Sequence, residues 1–174
     1  MAKGRAVAST GQCTHAKTGK QVPCKSVSST LLELTEKAKR ERKYRFRSLY
    51  REIELRMLYD SFMLLKPGAA AGVDGMDWHE YANDLDANLE DLLERLKTHR
   101  YRAKMIRRKY IPKASGKLRP LGIPTLEDKI VQMSARRLLE AIFEPDFPDN
   151  SMGYRPNRGP RAASQKLRDE LFFG

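Results

Sequence analysis

"YIPKASGKLRPLGIP", residues 110–124, brings together three prolines, two glycines and three cationic side chains with no carboxylate. It reads as a β-hairpin. Tyr110 and Ile111 end one apolar–basic run, and Leu118, Leu121 and Ile123 mark the next. Ala114-Ser115-Gly116-Lys117 lies between them, where Gly116 can take the positive φ that a tight hairpin turn needs. Pro112, Pro120 and Pro124 have no N–H to donate to a ladder, so these are edge strands or strand ends. Lys113, Lys117 and Arg119 then lie near a projecting tip. A projecting cationic tip calls for an anionic partner.

The composition agrees. The 174 residues hold 34 Lys+Arg against 22 Asp+Glu, a formal net charge of +12 with a pI near 9.8. Such a charge implies nucleic acid, an anionic membrane or an acidic protein as partner. No apolar run approaches the ~18–20 residues that span a bilayer, and the N-terminus lacks the apolar segment of a signal peptide. A cytoplasmic protein with no membrane partner is expected. Cys13 and Cys24, with His15, offer at most three metal ligands at no recognised spacing, and are expected to be free thiols.

The charge is segregated. Asp74 to Glu94 holds eight acids and no Lys or Arg; Arg95 to Leu126 holds eleven Lys+Arg and no acid. A solvated face usually mixes signs because like charges repel, so the basic run, with Arg107, Arg108 and Lys109 beside the hairpin tip, predicts contact with nucleic acid. Tyr101 and Tyr110 are placed either to stack on bases or to pack inside. A second cluster, from Lys37 through Arg40 and Lys43 to Arg47, is diluted by Glu36 and Glu41. At helical spacing it charges most of the circumference, so that segment is an RNA-facing extension or a solubilising helix.

Residues 1–28, rich in Gly, Ser, Thr and Lys, predict a disordered basic leader. Thr30 and Glu33 have capping-box spacing and predict a helix start. No Gly or Pro occurs from Thr30 to Lys66, which predicts one long helix or two joined helices ending at Pro67-Gly68. Residues 29–66 are therefore a basic helical extension. "GAAAGVDGMD", residues 68–77, is a small-residue loop. Asp77 and Glu80 predict a second cap, and Tyr81, Leu85, Leu89, Leu92 and Leu96 an amphipathic helix over 77–98. Thr125 and Asp128 open a helix over 125–143, on which the apolar side of 77–98 is expected to pack. Pro160 suits the first turn of a last helix over 160–172, bearing Ala163, Leu167 and Leu171. The fold class is α+β, mostly helical with one small antiparallel hairpin.

The stretch from "GVDGMDWHEYANDLDANLEDLL" through "YIPKASGKLRPLGIPTLEDKIVQMSARRLLEAIFEPDF", followed by "SMGYRPNRGPRAAS", is similar to the N-terminal half of bacterial group II intron-encoded reverse transcriptases, also called maturases. "IPKASGKLRPLGIP" resembles their first fingers motif, and "MGYRPNRGP" the aromatic-Gly-aromatic-Arg-Pro motif that follows. The resemblance implies fingers and the start of the palm of a right-hand polymerase over 67–174. It implies that Lys113 and Arg119 contact the triphosphate of the incoming nucleotide, that Lys117 touches the template backbone, and that Arg155 lies near the template strand. Transfer of a nucleotidyl group builds negative charge on phosphate oxygens, which Arg and Lys stabilise.

One part of the family pattern is missing. These polymerases hold two Mg²⁺ with palm aspartates, one after the second motif and a pair in a Tyr-Ala-Asp-Asp hairpin. The sequence contains no Tyr-Ala-Asp-Asp and no Asp-Asp pair, and it runs to "DELFFG" about where the strand bearing the first aspartate is expected. No catalytic or metal-binding residue is therefore assigned. The expected partners are intron or template RNA and a C-terminal polymerase half. The alternatives are a stand-alone RNA-binding or splicing-assistance module, or a nonspecific basic RNA-binding protein.

Overall fold

A helix opened by a threonine cap organises the structure. In the computed structural model, which describes residues 27–114 and 116–173, Thr125 is extended and its hydroxyl accepts from the Asp128 N–H. Glu127 and Asp128 put negative charge at the positive end of the helix dipole. The chain is described as α1 (Val27–Arg40), α2 (Leu55–Met63), α3 (Trp78–Asn83), α4 (Leu85–Lys97), β1 (Arg107–Pro112), β2 (Leu118–Ile123), α5 (Leu126–Phe143) and α6 (Pro160–Phe173). Short 3₁₀ turns occur at Leu49–Glu52 and Glu144–Asp146. This is the α+β, mostly helical class that the sequence predicts. The leader, with Cys13, His15 and Cys24, lies outside the described residues apart from its last two positions, which belong to α1.

The core joins α1, α2, α3, α4 and α5. Met57, Leu58, Phe62, Leu89, Leu92 and Ile130 are its most buried side chains. α2 lies against α5 through two small polar residues. Ser61 and Ser134 are fully buried, their hydroxyls are 2.9 Å apart, and Ser134 also reaches the Ile130 carbonyl at 3.0 Å. Small side chains at that point let the helices approach closely. Trp78 stacks on Phe62, with ring centroids 4.7 Å apart, and closes the core beside the α3 N-terminus.

Three expectations need correction. First, α1 is already helical at Val27, so Thr30 lies inside the helix rather than capping it. Of the two forms expected for the stretch to Lys66, the structure has the two joined helices, linked over 41–54 by a segment in which Ser48 is left-handed at φ 59°. The physical reason is the run from Arg42 to Arg47. It offers like charges at helical spacing and no apolar stripe to bury. Its charge is therefore not wound around a helix; instead Tyr44 turns back beneath the Lys37 ammonium, 3.6 Å from its ring centroid.

Second, the helix over 77–98 is broken at Asp84 (φ −122°, ψ 42°) into α3 and α4. Asn88 Nδ2 donates to the Tyr81 carbonyl beside the break, at 3.1 Å. Asp77 caps α3 as expected, accepting from the Glu80 N–H at 2.8 Å. Third, α4 packs chiefly on α2, and α2 on α5, while Leu89, Leu92 and Leu96 share one core cluster with Leu126, Ile130 and Leu138. The expected apolar side of α6 is largely exposed, at Leu167, Leu171 and Phe172.

The small-residue loop has a packing role. A Cβ at Gly72 would come within 2.6 Å of the Thr125 Cα and 2.9 Å of its N. Lys129 Nζ donates to the Ala70 carbonyl at 2.6 Å, closing the loop onto α5. Gly72→Ala should therefore lower stability by about 1–3 kcal/mol, since backbone must move to admit the methyl group. Gly68→Ala, whose added Cβ meets nothing within 4 Å, is the control. Urea unfolding of both variants checks this; equal midpoints would contradict it.

Candidate nucleic-acid interface

The hairpin is a two-stranded antiparallel sheet with Arg107 opposite Ile123, Lys109 opposite Leu121, Ile111 opposite Arg119 and Pro112 opposite Leu118. The Lys113 N–H donates to the Lys117 carbonyl at 2.8 Å, and the Gly116 N–H donates to the Lys113 carbonyl at 3.0 Å. Gly116 has φ 77°, the left-handed geometry of a three-residue hairpin loop. Each strand extends about 20 Å. Of the strand residues, all but Ile123 are exposed, so the hairpin projects.

Residues directly opposite one another share a face. One face therefore carries Arg107, Lys109 and Arg119 among Ile111 and Leu121. The other carries Arg108 and Tyr110, with Leu118. Lys113 and Lys117 close the tip. Among the described residues, none of these six Lys and Arg side chains makes an ion pair; Arg107 Nη1 alone is tied down, 3.4 Å from the Ala71 carbonyl.

The cations nearer the root behave differently. Arg95 pairs with Asp91 and makes two hydrogen bonds to Glu127, at 2.7 and 3.2 Å. Arg100 pairs with Glu94 at 2.8 Å and Lys104 with Asp74 at 3.4 Å. The acidic block over 74–94 thus neutralises the start of the basic block and leaves the hairpin itself unneutralised. Tyr101 belongs to the root too. Its hydroxyl donates to Asp128 Oδ1, while Thr125 Oγ1 donates to Asp128 Oδ2 at 2.7 Å. Asp128 is buried, and both carboxylate oxygens are satisfied. Burial, then the bond to Asp128, pushes the Tyr101 phenol above its ordinary value. Tyr101 is held in packing; Tyr110 is exposed on the hairpin.

The remaining candidates are dispersed. Arg40, paired with Glu41 at 3.2 Å, and the exposed Lys43 lie at the end of α1 and in the link after it. Arg155 lies in the loop before α6 with only 6% of its side chain exposed. It binds Glu144 at 2.8 Å and the carbonyls of Pro148 and Ser151, and its guanidinium lies 5.3 Å from the Phe147 ring centroid. The structure uses Arg155 as a staple of its own loop, not as an open cation beside a strand. Sequence reasoning missed Arg95, Glu127 and Gly72 as the residues that fix the hairpin root. The adjacency of Glu127 and Asp128 to the Thr125 cap was the available signal for two of the contacts.

Among the described residues, no three of His, Cys, Asp and Glu gather to hold a metal ion. No chemical step is assigned to a two-Mg²⁺ centre among these described residues. No helix among the described residues is long and apolar enough to cross a membrane.

No protein-family model matches the chain. Curated proteins do. It is 41% identical over 100 residues to Protein YkfC of Escherichia coli (strain K12), covering 58% of this chain and 26% of that protein. It is 40% identical over 87 residues to the group II intron-encoded protein LtrA of Lactococcus lactis subsp. cremoris, covering 49% and 14%. An uncharacterized 91 kDa protein in the cob intron of Schizosaccharomyces pombe (strain 972 / ATCC 24843) is 39% identical over 79 residues, covering 45% and 10%. The resemblance read from the motifs is thus to intron-encoded proteins, and the chain spans about a quarter or less of the length of these relatives.

The Tyr101–Asp128 bond gives stability a dependence on alkaline pH. The folded state raises the phenol pKa, so its contribution is complete below about pH 10, the value of a free tyrosine, and is lost as pH rises toward the folded value. Unfolding by urea between about pH 9 and 11 should show the wild type losing stability more steeply than Tyr101→Phe. Parallel profiles would remove this bond from the root.

Proposed function

We propose that the chain is the fingers and start of the palm of an intron-encoded reverse transcriptase, gripping template RNA and the phosphates of the incoming nucleotide. The observation that carries this reading is the projecting hairpin whose cations have no carboxylate partner among the described residues. Lys113 and Arg119 contact the triphosphate, where the planar guanidinium binds phosphate oxygens in a fork and the ammonium acts as a point charge. Lys117, with Arg107, Arg108 and Lys109, holds the template backbone. Cations on both faces suit a hairpin lying between two phosphate-bearing strands or groups. Arg40 and Lys43 extend the contact to intron RNA. Arg155 supports the interface by holding the loop before α6.

Nucleotidyl transfer of this kind uses two Mg²⁺ held by carboxylates. Those carboxylates are assigned to a separate polymerase segment, and this chain's contribution is to bind and orient phosphates. The sequence similarity to intron-encoded proteins supports intron RNA as the partner.

The four hairpin cations assigned to the template, Arg107, Arg108, Lys109 and Lys117, set the scale of the salt response. If each meets a phosphate, the slope of log K against log salt should be about −3 for single-stranded RNA and about −4 for duplex. Lys117→Ala should reduce the slope by about 1 and weaken binding by about 1 kcal/mol. A slope near zero would remove the electrostatic reading.

The chain alone should not extend a primer on an RNA template. Mixing it with a separately expressed C-terminal half carrying the family aspartates should produce extension that falls when Arg119 becomes Ala. Extension by the purified chain alone would overturn the division of labour. Selective binding of one structured RNA without complementation would instead assign the splicing-assistance role.

A further inference from the structure

An open groove of about 720 Å³ runs between α1 and the end of α5, away from the hairpin. One wall is Ser28, Leu31, Leu32, Thr35 and Lys39; the other is Arg137, Glu140, Ala141, Glu144 and Pro145. Both walls follow helical spacing. From Ser28 to Lys39 the α1 wall rises about 16 Å, or three turns. Leu31, Ala141 and Pro145 make the lining apolar, and Leu32 stands 61% exposed at the rim. Two parallel stripes of this spacing form the seat that a third helix takes in helix-in-groove recognition, which reads anchors at i, i+3, i+4 and i+7.

Charge selects the kind of helix. The two carboxylates of the lining are already held, Glu140 by Arg136 at 2.6 Å and Glu144 by Arg155 at 2.8 Å, and Asp60, next to Arg137, is held by Arg56 at 3.1 Å. Arg137 therefore reaches an Asp60 already engaged, at 4.0 Å, and its buried Nη1 has no hydrogen-bond acceptor. Lys39 is exposed and has no partner among the described residues. The groove thus joins an apolar lining to a surplus of positive charge. Residues 1–26 hold five Lys and Arg and no acid, and so supply no carboxylate to match that surplus. Nucleic acid would leave the leucines unused.

We propose that the α1–α5 groove is a docking site for an amphipathic helix of a partner protein, with leucine-type residues on one face flanked by carboxylates. The test uses three labelled helical peptides of about 14 residues, long enough to span the groove at 1.5 Å per residue: a Leu/Glu amphipathic helix, a Leu/Lys amphipathic helix, and a Glu/Ala helix matching the acids without the leucines. Fluorescence anisotropy with the full chain should show binding of the Leu/Glu peptide alone. Lys39→Glu and Leu32→Glu should each weaken it about tenfold or more. Lys113→Glu, which makes the same change of net charge on the hairpin, should leave it unchanged. Both groove residues are exposed, and thermal melting verifies that the variants fold.

Equal binding of the Glu/Ala peptide would overturn the proposal, as would equal weakening by Lys113→Glu; either outcome reduces the effect to net charge. Absence of Leu/Glu binding also overturns it. If an RNA hairpin instead loses affinity with both groove variants while no peptide binds, the groove belongs to nucleic acid.

Discussion

Asp128 is a buried carboxylate at the first turn of α5, and the position of the hairpin depends on how it is satisfied. An ionised carboxyl taken out of water is costly unless its oxygens find donors. Here Tyr101 and Thr125 supply them, and Thr125 in turn caps the helix. The bonds join the segment entering β1 to the segment leaving β2. Arg95 and Glu127 add a two-pronged tie from α4 to the same turn. A two-stranded hairpin is marginal in water by itself, and this one exposes nearly every strand residue. Its orientation therefore comes from its root. Gly72, pressed against Thr125, brings the small-residue loop into the same junction.

That junction also sorts the charge. Asp74, Asp91 and Glu94 are used on Lys104, Arg95 and Arg100, cations that enter the protein's own bonding. Beyond the root the hairpin cations make no ion pair among the described residues. Diagonal neighbours such as Lys109 and Arg119 lie about 7 Å apart in such a ladder, where two like charges in water repel by about 0.6 kcal/mol. A few such terms are tolerable against the hydrogen bonds of a ladder. On the proposed function a bound polyanion would relieve them.

What could be read in sequence was local. Asp77 and Thr125 declare their caps because the acceptor and its N–H lie three residues apart, and Gly116 declares its turn because few residues favour positive φ. The break at Asp84 and the packing of α4 chiefly on α2 depend on which apolar faces meet, and distant packing decides that. Arg155 shows the limit most plainly. In sequence it is one cation among many in a basic protein. Its role follows from Glu144 and from the carbonyls of Pro148 and Ser151, which converge on it once the loop closes. Arg42 to Arg47 is the converse case. Propensity allowed a helix, yet no apolar stripe was present to hold one.

The coincidence of stiffness and charge in residues 110–124 follows from the same physics. Cations on a flexible arm would splay apart, and each phosphate contact would then have to overcome the entropy of bringing them back. Pro112 and Pro120 restrict the unfolded and frayed states of the strands, and Gly116 closes the turn without strain. The ladder holds Arg107, Lys109 and Arg119 in register on one face before any ligand is present. Binding then spends little free energy on ordering the site, which is the usual advantage of preorganisation. A proline-poor loop of the same charge would attract RNA at long range equally well, since steering depends on net field. It would not present an arginine fork and an ammonium at fixed separation. On the proposed function, rigidity is what would turn a basic patch into a phosphate grip, and it is supplied by a root that buries one fully bonded carboxylate.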